Sequence, residues 1–334
     1  MARVTVVMGV HNGERYLAEA LDSVLAQSFA DFRLLVVDDA SSDATAEILA
    51  GYSDPRLEVL RNEGNLGLPR SLNRALERVD SPLVARMDAD DRCHPERFAR
   101  QVAFLEANPD VGLLGTAATL LLENGGAAFH PEVTHPYEPE EIKAVTIFSA
   151  ALVHPSIMVN LEAFDRRLFF YRPEFVPASD YECWVRLLSQ GVRFACLRER
   201  LLDYRHHGAQ ISRTARPLQQ NTGDAIRLRA LELAGIAPSA EEFALHRLVS
   251  ERDYRALAAV YPRLVEWFRR ILAANALGGY YEQGALHRVL QRRLRHIVEK
   301  SRMPPPQAGA AAWLAESLEG PAEPGAGAVL RGGA

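Results

Sequence analysis

Pro82-Leu83-Val84-Ala85-Arg86-Met87-Asp88-Ala89-Asp90-Asp91 passes from an apolar run directly into three carboxylates. Acids crowded at the end of a buried strand repel one another unless a cation neutralises them. Oxygen ligands of this hardness suit Mg²⁺ or Mn²⁺, ions that in turn hold diphosphates. Taken alone, the segment also reads as a solvated acidic turn. Its surroundings favour the metal. Val4-Thr5-Val6-Val7 is a strand run, and Glu14 to Gln27 carries Leu17, Leu21, Val24 and Leu25 at helical spacing. Arg33 to Val37 is a buried-strand run ending in Asp38-Asp39, and Ser42 or Asp43 can cap a helix reaching Ala50. Leu57 to Leu60 predicts a third strand, Pro69 to Val79 a third helix and Pro82 to Met87 a fourth strand. This alternation predicts an α/β fold, a parallel sheet with helices on both faces. Ligands of such sheets sit outside the carboxyl ends of the strands. Asp38-Asp39 and Asp88-Ala89-Asp90 both fall there, so one shared site is expected.

The chain has 334 residues, enough for one large core or two moderate ones. A net charge of -5 gives no electrostatic case for nucleic acid as a partner. Cys93, Cys183 and Cys196 are widely spaced and odd in number, and read as reduced thiols. There is no apolar run of roughly 18 residues and no signal-peptide pattern. A cytoplasmic location is expected.

From about residue 111 to 205, short apolar runs, a turn at Asn124-Gly125-Gly126 and a helix near 180 to 190 predict a mixed, partly antiparallel second half. From 216 onward the chain reads as amphipathic helices, including Leu257 to Leu272 and Ala285 to Val298. The tail from Met303 is rich in Pro, Gly and Ala and is expected to be poorly ordered, apart from a short helix around Trp313-Leu314.

With these residues in place, the chain resembles glycosyltransferase family 2, inverting enzymes of GT-A fold, and most of all the non-processive polysaccharide and O-antigen type. The resemblance rests on Val6 to Glu14, Ser23-Val24-Leu25-Ala26-Gln27, Val37 to Asp43, Asn62 to Leu68 and Ser71-Leu72-Asn73. It continues through Ala85 to Asp91, Pro95-Glu96-Arg97-Phe98 with Gln101, His154-Pro155-Ser156, Ser179 to Trp184 with Arg186-Leu187, and Tyr204-Arg205-His206-His207. Order and spacing hold over roughly residues 4 to 212. Gly9 stands where the family usually has proline and His11 where it has tyrosine. The family's acidic pair before the aromatic is Ser179-Asp180 here. The Gln-x-x-Arg-Trp signature of processive synthases is absent.

The resemblance implies a Rossmann-like, mainly parallel GT-A sheet with a C-terminal helical extension. Residues 1–115 would form the nucleotide-sugar-binding half, 116–215 the acceptor-binding and catalytic half, 216–302 a helical region and 303–334 a flexible tail. It makes Asp88-Ala89-Asp90 the DXD motif. Asp90 would ligate the metal directly, with Asp88 behind it on the ribose or a metal-bound water. Ala89 joins the nucleotide-sugar contacts. Asp39 would meet the base or ribose, a charge-assisted hydrogen bond, although it also reads as a capping acid. The first loop, with Val10, Asn12 and Glu14, would pack against the nucleoside. Arg70 and Asn73 on the third helix lie near further nucleotide contacts, with ordinary surface roles equally weighted. His207 would approach the metal, with His206 competing for that role and an exposed polar turn as the plainer reading. Asp180 is the general base, since direct displacement with inversion needs one carboxylate on the acceptor side; an N-cap role can coexist.

The cofactor expected is Mn²⁺ or Mg²⁺. The donor expected is a nucleoside diphosphate sugar, UDP being the family's commonest nucleotide, and the acceptor a saccharide or lipid-linked saccharide. Arg288, Arg292, Arg293, Arg295, Lys300 and Arg302 make a basic helix. It suits a solvated face or an oligomer contact, with peripheral binding to the inner membrane face as the alternative. Competing functions are a catalytically silent sugar-nucleotide-binding scaffold, which Ser179 alone supports, and a sugar-phosphate nucleotidyltransferase, which lacks its glycine-rich phosphate loop here.

Overall fold

The computed structural model describes residues 2–122, 127–128, 136–207 and 216–301, and for 127–128 and 216–221 the backbone alone. The turn at Asn124-Gly125-Gly126, Arg302 and the tail from Met303 lie outside these residues.

The alternating half forms as its pattern dictates: β1 (Val4–Val10), α1 (Leu17–Leu25), β2 (Phe32–Asp38), α2 (Thr45–Ala50), β3 (Leu57–Arg61), α3 (Leu68–Leu76) and β4 (Leu83–Asp88). There follow β5 (Arg92–Cys93), α4 (Arg97–Ala107), β6 (Val111–Leu122), β7 (Ala127–Ala128), α5 (Pro139–Val145), β8 (Met158–Asn160), α6 (Ser179–Ser189) and β9 (Arg193–His206). All nine strands join one sheet in the order β3-β2-β1-β4-β8-β6-β9-β5, with β7 on β6. The first four are parallel, and β8 runs antiparallel to both β4 and β6.

Both faces of the sheet are covered, which is why its central strands read as unbroken apolar runs. Val4, Val6 and Met8 meet Leu17, Leu21 and Phe98 on one face, while Val7, Leu35 and Val37 meet Leu72, Trp184 and Leu187 on the other. Each such side chain contributes about 1.5–3 kcal/mol of burial. A Cβ on Gly9 would lie 2.9 Å from Leu68 Cδ1, so glycine there lets the start of α3 sit against the end of β1.

The second half is mixed and partly antiparallel, as expected, but its short apolar runs belong to longer strands. β6 and β9 are long strands, parallel to each other over Val111 to Leu122 with register shifts. Exposed Arg198 and Glu199 are skipped in the register between the Thr116–Leu197 and Ala117–Arg200 pairs, so β9 passes through an irregularity there and resumes pairing beyond it. β6 also runs across residue 115.

Several residues that carry the family resemblance hold the fold. The fully buried Arg97 donates to Arg86 O at 2.9 Å, Ile157 O at 3.1 Å and Gln101 Oε1 at 3.0 Å. Gln101 donates to Leu114 O at 3.1 Å and Ser156 O at 2.9 Å. Gln27 donates to His94 O at 2.7 Å and accepts from Phe98 N. Together they fix β4, β6 and the His154–Ser156 turn in register.

The remaining helices are α7 (Arg216–Leu233), α8 (Ala240–Glu251), α9 (Tyr254–Ala259), α10 (Tyr261–Gly278) and α11 (Gln283–Ser301). The single helix expected over Leu257 to Leu272 is two. Pro262, which lacks an N–H, opens α10, and Val260 between them leaves helical geometry at φ -113°. These helices share a core with α5 around Phe148, Leu264, Phe268 and Leu290. His246 bonds Ile147 O through Nε2 at 2.8 Å and stacks on Phe148. Ala178, just before α6, and Tyr181 and Val185 within it close against Ile226 of α7, and the Tyr181 hydroxyl donates to Thr146 O at 2.6 Å. Glu141, 11 % exposed, draws in Arg288 at 2.8 Å and Arg292 at 2.7 Å. Two arginines of the basic helix therefore face this molecule's own α5, where a buried carboxylate needs them. Among the described residues, no helix is long and apolar enough to cross a membrane.

Candidate active site

The order β2-β1-β4 sets the ends of three parallel strands side by side: Val10 pairs with Asp38, and Gly9 with Asp88. Beyond β4, one ligand oxygen from each of Asp88, Asp90 and Asp91 lies within 4.8 Å of the others. Each acid is held differently. Asp88 Oδ1 pairs with Arg86 Nη1 at 2.5 Å, and Arg86 itself is 1 % exposed. Asp90 Oδ2 accepts from His207 Nε2 at 2.8 Å. Asp91, also 1 % exposed, accepts from Arg205 N through Oδ1 at 2.7 Å, and its Oδ2 has no partner among the described residues.

Burial pushes the Asp91 carboxyl well above its ordinary value, and the charges of Asp88 and Asp90 add to this. Burial raises Asp88 too, with Asp90 reinforcing and Arg86 opposing. Hard oxygens that repel one another and include a buried orphan fit Mn²⁺ or Mg²⁺.

Asp39 continues β2 on the same rim. It is nearly buried and accepts from Asn62 Nδ2 at 2.7 Å, Leu66 N at 2.8 Å and Gly67 N at 2.8 Å. Burial would raise its pKa, but these donors outweigh it and hold the carboxyl below the ordinary value. Asp39 thus shapes the loop from Asn62 to Gly67 and does not cap α2.

The first loop is tied to the start of α2. Asn12, at φ +51°, offers Oδ1 to Ser42 N at 2.8 Å, and Glu14 accepts from Ala44 N at 3.1 Å. Val10 O accepts from Asp39 N. These contacts build the loop, and Asn12 and Glu14 remain exposed while making them. Arg70 is exposed, 3.4 Å from Leu66 O. Asn73 brackets the backbone of Tyr171, donating to its carbonyl at 2.6 Å and accepting from its N–H at 2.8 Å. It braces the segment before α6. Ala89 is half-buried between the two acids of the motif.

Asp180 is the second residue of α6, where Trp184 and Leu187 anchor the helix in the core. Burial raises its pKa; backbone N–H groups and Arg86 pull it down, and Asp88 pushes it up. The structure therefore gathers Asp88, Asp90, Asp91 and His207, with Asp180 within electrostatic reach.

The sequence missed Arg205, whose Nε donates to Asp90 O at 2.7 Å, and Tyr16, whose ring lies 4.4 Å from the Arg205 guanidinium. It also missed the 2.8 Å hydrogen bond between His154 and the Tyr171 hydroxyl. Burial first, then Arg86, holds the His154 pKa well below its ordinary value, so that ring is neutral. Arg205 stands within a quoted motif, but neither spacing nor periodicity links it to residues far earlier in the chain.

A sheet of this order, with its acids on the carboxyl rim and helices appended at the C-terminus, defines the GT-A class of glycosyltransferases. The Glycosyl transferase family 2 model matches residues 5–167. EpsE of Bacillus subtilis (strain 168), which carries a glycosyltransferase designation, is 35 % identical over 61 % of this chain and 73 % of its own. The O-antigen biosynthesis glycosyltransferase WbnJ of Escherichia coli is 28 % identical over 64 % of this chain and 83 % of its own. The chain belongs to glycosyltransferase family 2 and is a glycosyltransferase. Among solved structures, S. aureus TarS 1-349 with UDP-GlcNAc matches 90 % of this chain and 88 % of its own at TM-score 0.58 and 17 % identity. The mannosyltransferase PcManGT of Pyrobaculum calidifontis, with GDP-Man and Mn²⁺, matches 95 % of this chain and 79 % of its own at TM-score 0.50 and 18 % identity.

Proposed function

We propose that this protein moves one sugar, with inversion, from a nucleoside diphosphate sugar to a saccharide or lipid-linked acceptor in cell-surface polysaccharide biosynthesis. The placement of Asp180 carries the reading: a single carboxylate at a rigid helix start, electrostatically coupled to Asp88 and Arg86. Relatives named for O-antigen assembly support the setting. TarS binds UDP-GlcNAc, which favours a UDP-linked donor.

Asp88 and Asp90, with His207, would hold Mn²⁺ or Mg²⁺, which when bound supplies Lewis-acid charge at the leaving diphosphate. Asp39 sets the loop that flanks the nucleoside. Asp180 takes the proton of the acceptor hydroxyl as its oxygen bonds the anomeric carbon and the bond to the diphosphate breaks. Arg86 keeps a positive charge between the acids, so that Asp180 is available as a carboxylate.

Asp180→Asn is expected to abolish transfer while nucleotide affinity stays within about a few-fold, since general-base losses are of order 10²–10⁴ in rate. Radiolabelled sugar transfer and calorimetric UDP binding measure the two. Full turnover by the variant overturns the assignment.

A further inference from the structure

Arg205, 7 % exposed, directs its bonds onto the acidic turn beyond β4. Its backbone N–H donates to Asp91 Oδ1 and its Nε to Asp90 O, both at 2.7 Å. Its Nη2 donates to Glu19 Oε2 at 2.6 Å, and its guanidinium lies over the Tyr16 ring. The same ring meets the His207 imidazole with centroids 5.1 Å apart, and the buried Tyr16 hydroxyl has no partner among the described residues. Tyr16 and Glu19 both stand at the start of α1, directly after the first loop. One side chain thus ties the turn that carries Asp90 and Asp91, the strand end that delivers His207, and α1.

We propose that Arg205, braced by Glu19 and Tyr16, is a positioning residue of the metal site, its guanidinium fixing the backbone at Asp90, and with it the turn to Asp91, for the cation. The inference rests on the metal reading given above. Three carboxylates this close spread apart unless the backbone between them is held. A planar guanidinium can bond the Asp90 carbonyl and the Glu19 carboxylate at once, a geometry an ammonium does not reproduce. Groups behind metal ligands act in this way elsewhere, and their removal costs about 10–100-fold in metal affinity.

Mn²⁺ binding to the full chain, followed by the electron-spin resonance of free Mn²⁺ alongside the thermal midpoint, tests this. Arg205→Met should weaken Mn²⁺ binding by about 10–100-fold, and Arg205→Lys should recover only part of the loss. Glu19→Gln should weaken it by up to about tenfold at an unchanged thermal midpoint. Glu19 is 43 % exposed, so that variant carries the test if Arg205→Met does not fold. Wild-type affinity in Glu19→Gln and Arg205→Met, or full recovery in Arg205→Lys, overturns the clamp. No Mn²⁺ binding by the wild type overturns the metal reading, and the clamp with it.

Discussion

A half-buried carboxylate serves as a base only where something keeps it charged, and Asp180, the proposed base, is held between opposing influences. Burial and Asp88 favour the protonated form; helix N–H groups and Arg86 favour the anion. The net shift is upward from 3.8, so the base form is lost at a higher pH than for an ordinary aspartate. In the metal-free protein the Asp180 carboxyl should titrate above 3.8 when followed by its carbon-13 shift, and Arg86→Met should move it further up. Asn73 makes a contrasting case. Because both ends of its amide are spent on Tyr171, Asn73→Ala should lower stability by about 1–3 kcal/mol in urea melts and leave UDP affinity unchanged. The clustering of Asp88 and Asp90 was legible because acids crowded at a strand end demand neutralisation, and Asp180 was legible as a carboxylate at a helix start. Asn12, Glu14 and Asn73 were legible only as places, since an amide or carboxylate in a loop serves backbone and ligand alike.

Among the elements, the parallel half could be read strand by strand because both faces are buried and the runs are unbroken. β9 could not, since exposed arginines in mid-strand hide its continuity. The Pro95 to Gln101 motif has the look of chemistry and the role of a rivet. Arg97→Met keeps the volume but removes the guanidinium donor from Arg86 O and leaves Ile157 O with only the Arg86 N–H. We expect a loss of about 2–4 kcal/mol in denaturant unfolding, with loss of activity only in proportion to the unfolded fraction.

In the whole molecule, two titratable groups meet where the C-terminal helices join α5. The His246 pKa is lowered to about 3 by burial, so the folded state excludes its proton. Its contribution to stability is complete above pH 6.5 and drains as the pH falls from there toward about 3. His246→Gln should flatten urea midpoints across that window. Burial alone would raise the Glu141 pKa, but Arg288 and Arg292 bring it below 4.5; its contribution is present above 4.5 and lost as the pH falls through the depressed value. Limited proteolysis at falling pH should therefore release the C-terminal helices in two stages, the His246 stage first. Helices after 216 were legible as amphipathic, but no periodicity tells which neighbour an apolar stripe will choose. The stripe on α7 divides: Ala230 and Leu231 join the C-terminal helices, while Ile226 packs on Tyr181 and Val185 of the helix that carries Asp180. That choice bears on how such enzymes are recombined. The family motifs run over roughly residues 4 to 212, which makes a cut near 215 tempting for swapping specificities. A chimera cut there must bring its own substitute for Ile226, or it inherits Asp180, the proposed base, on a helix with one bare flank.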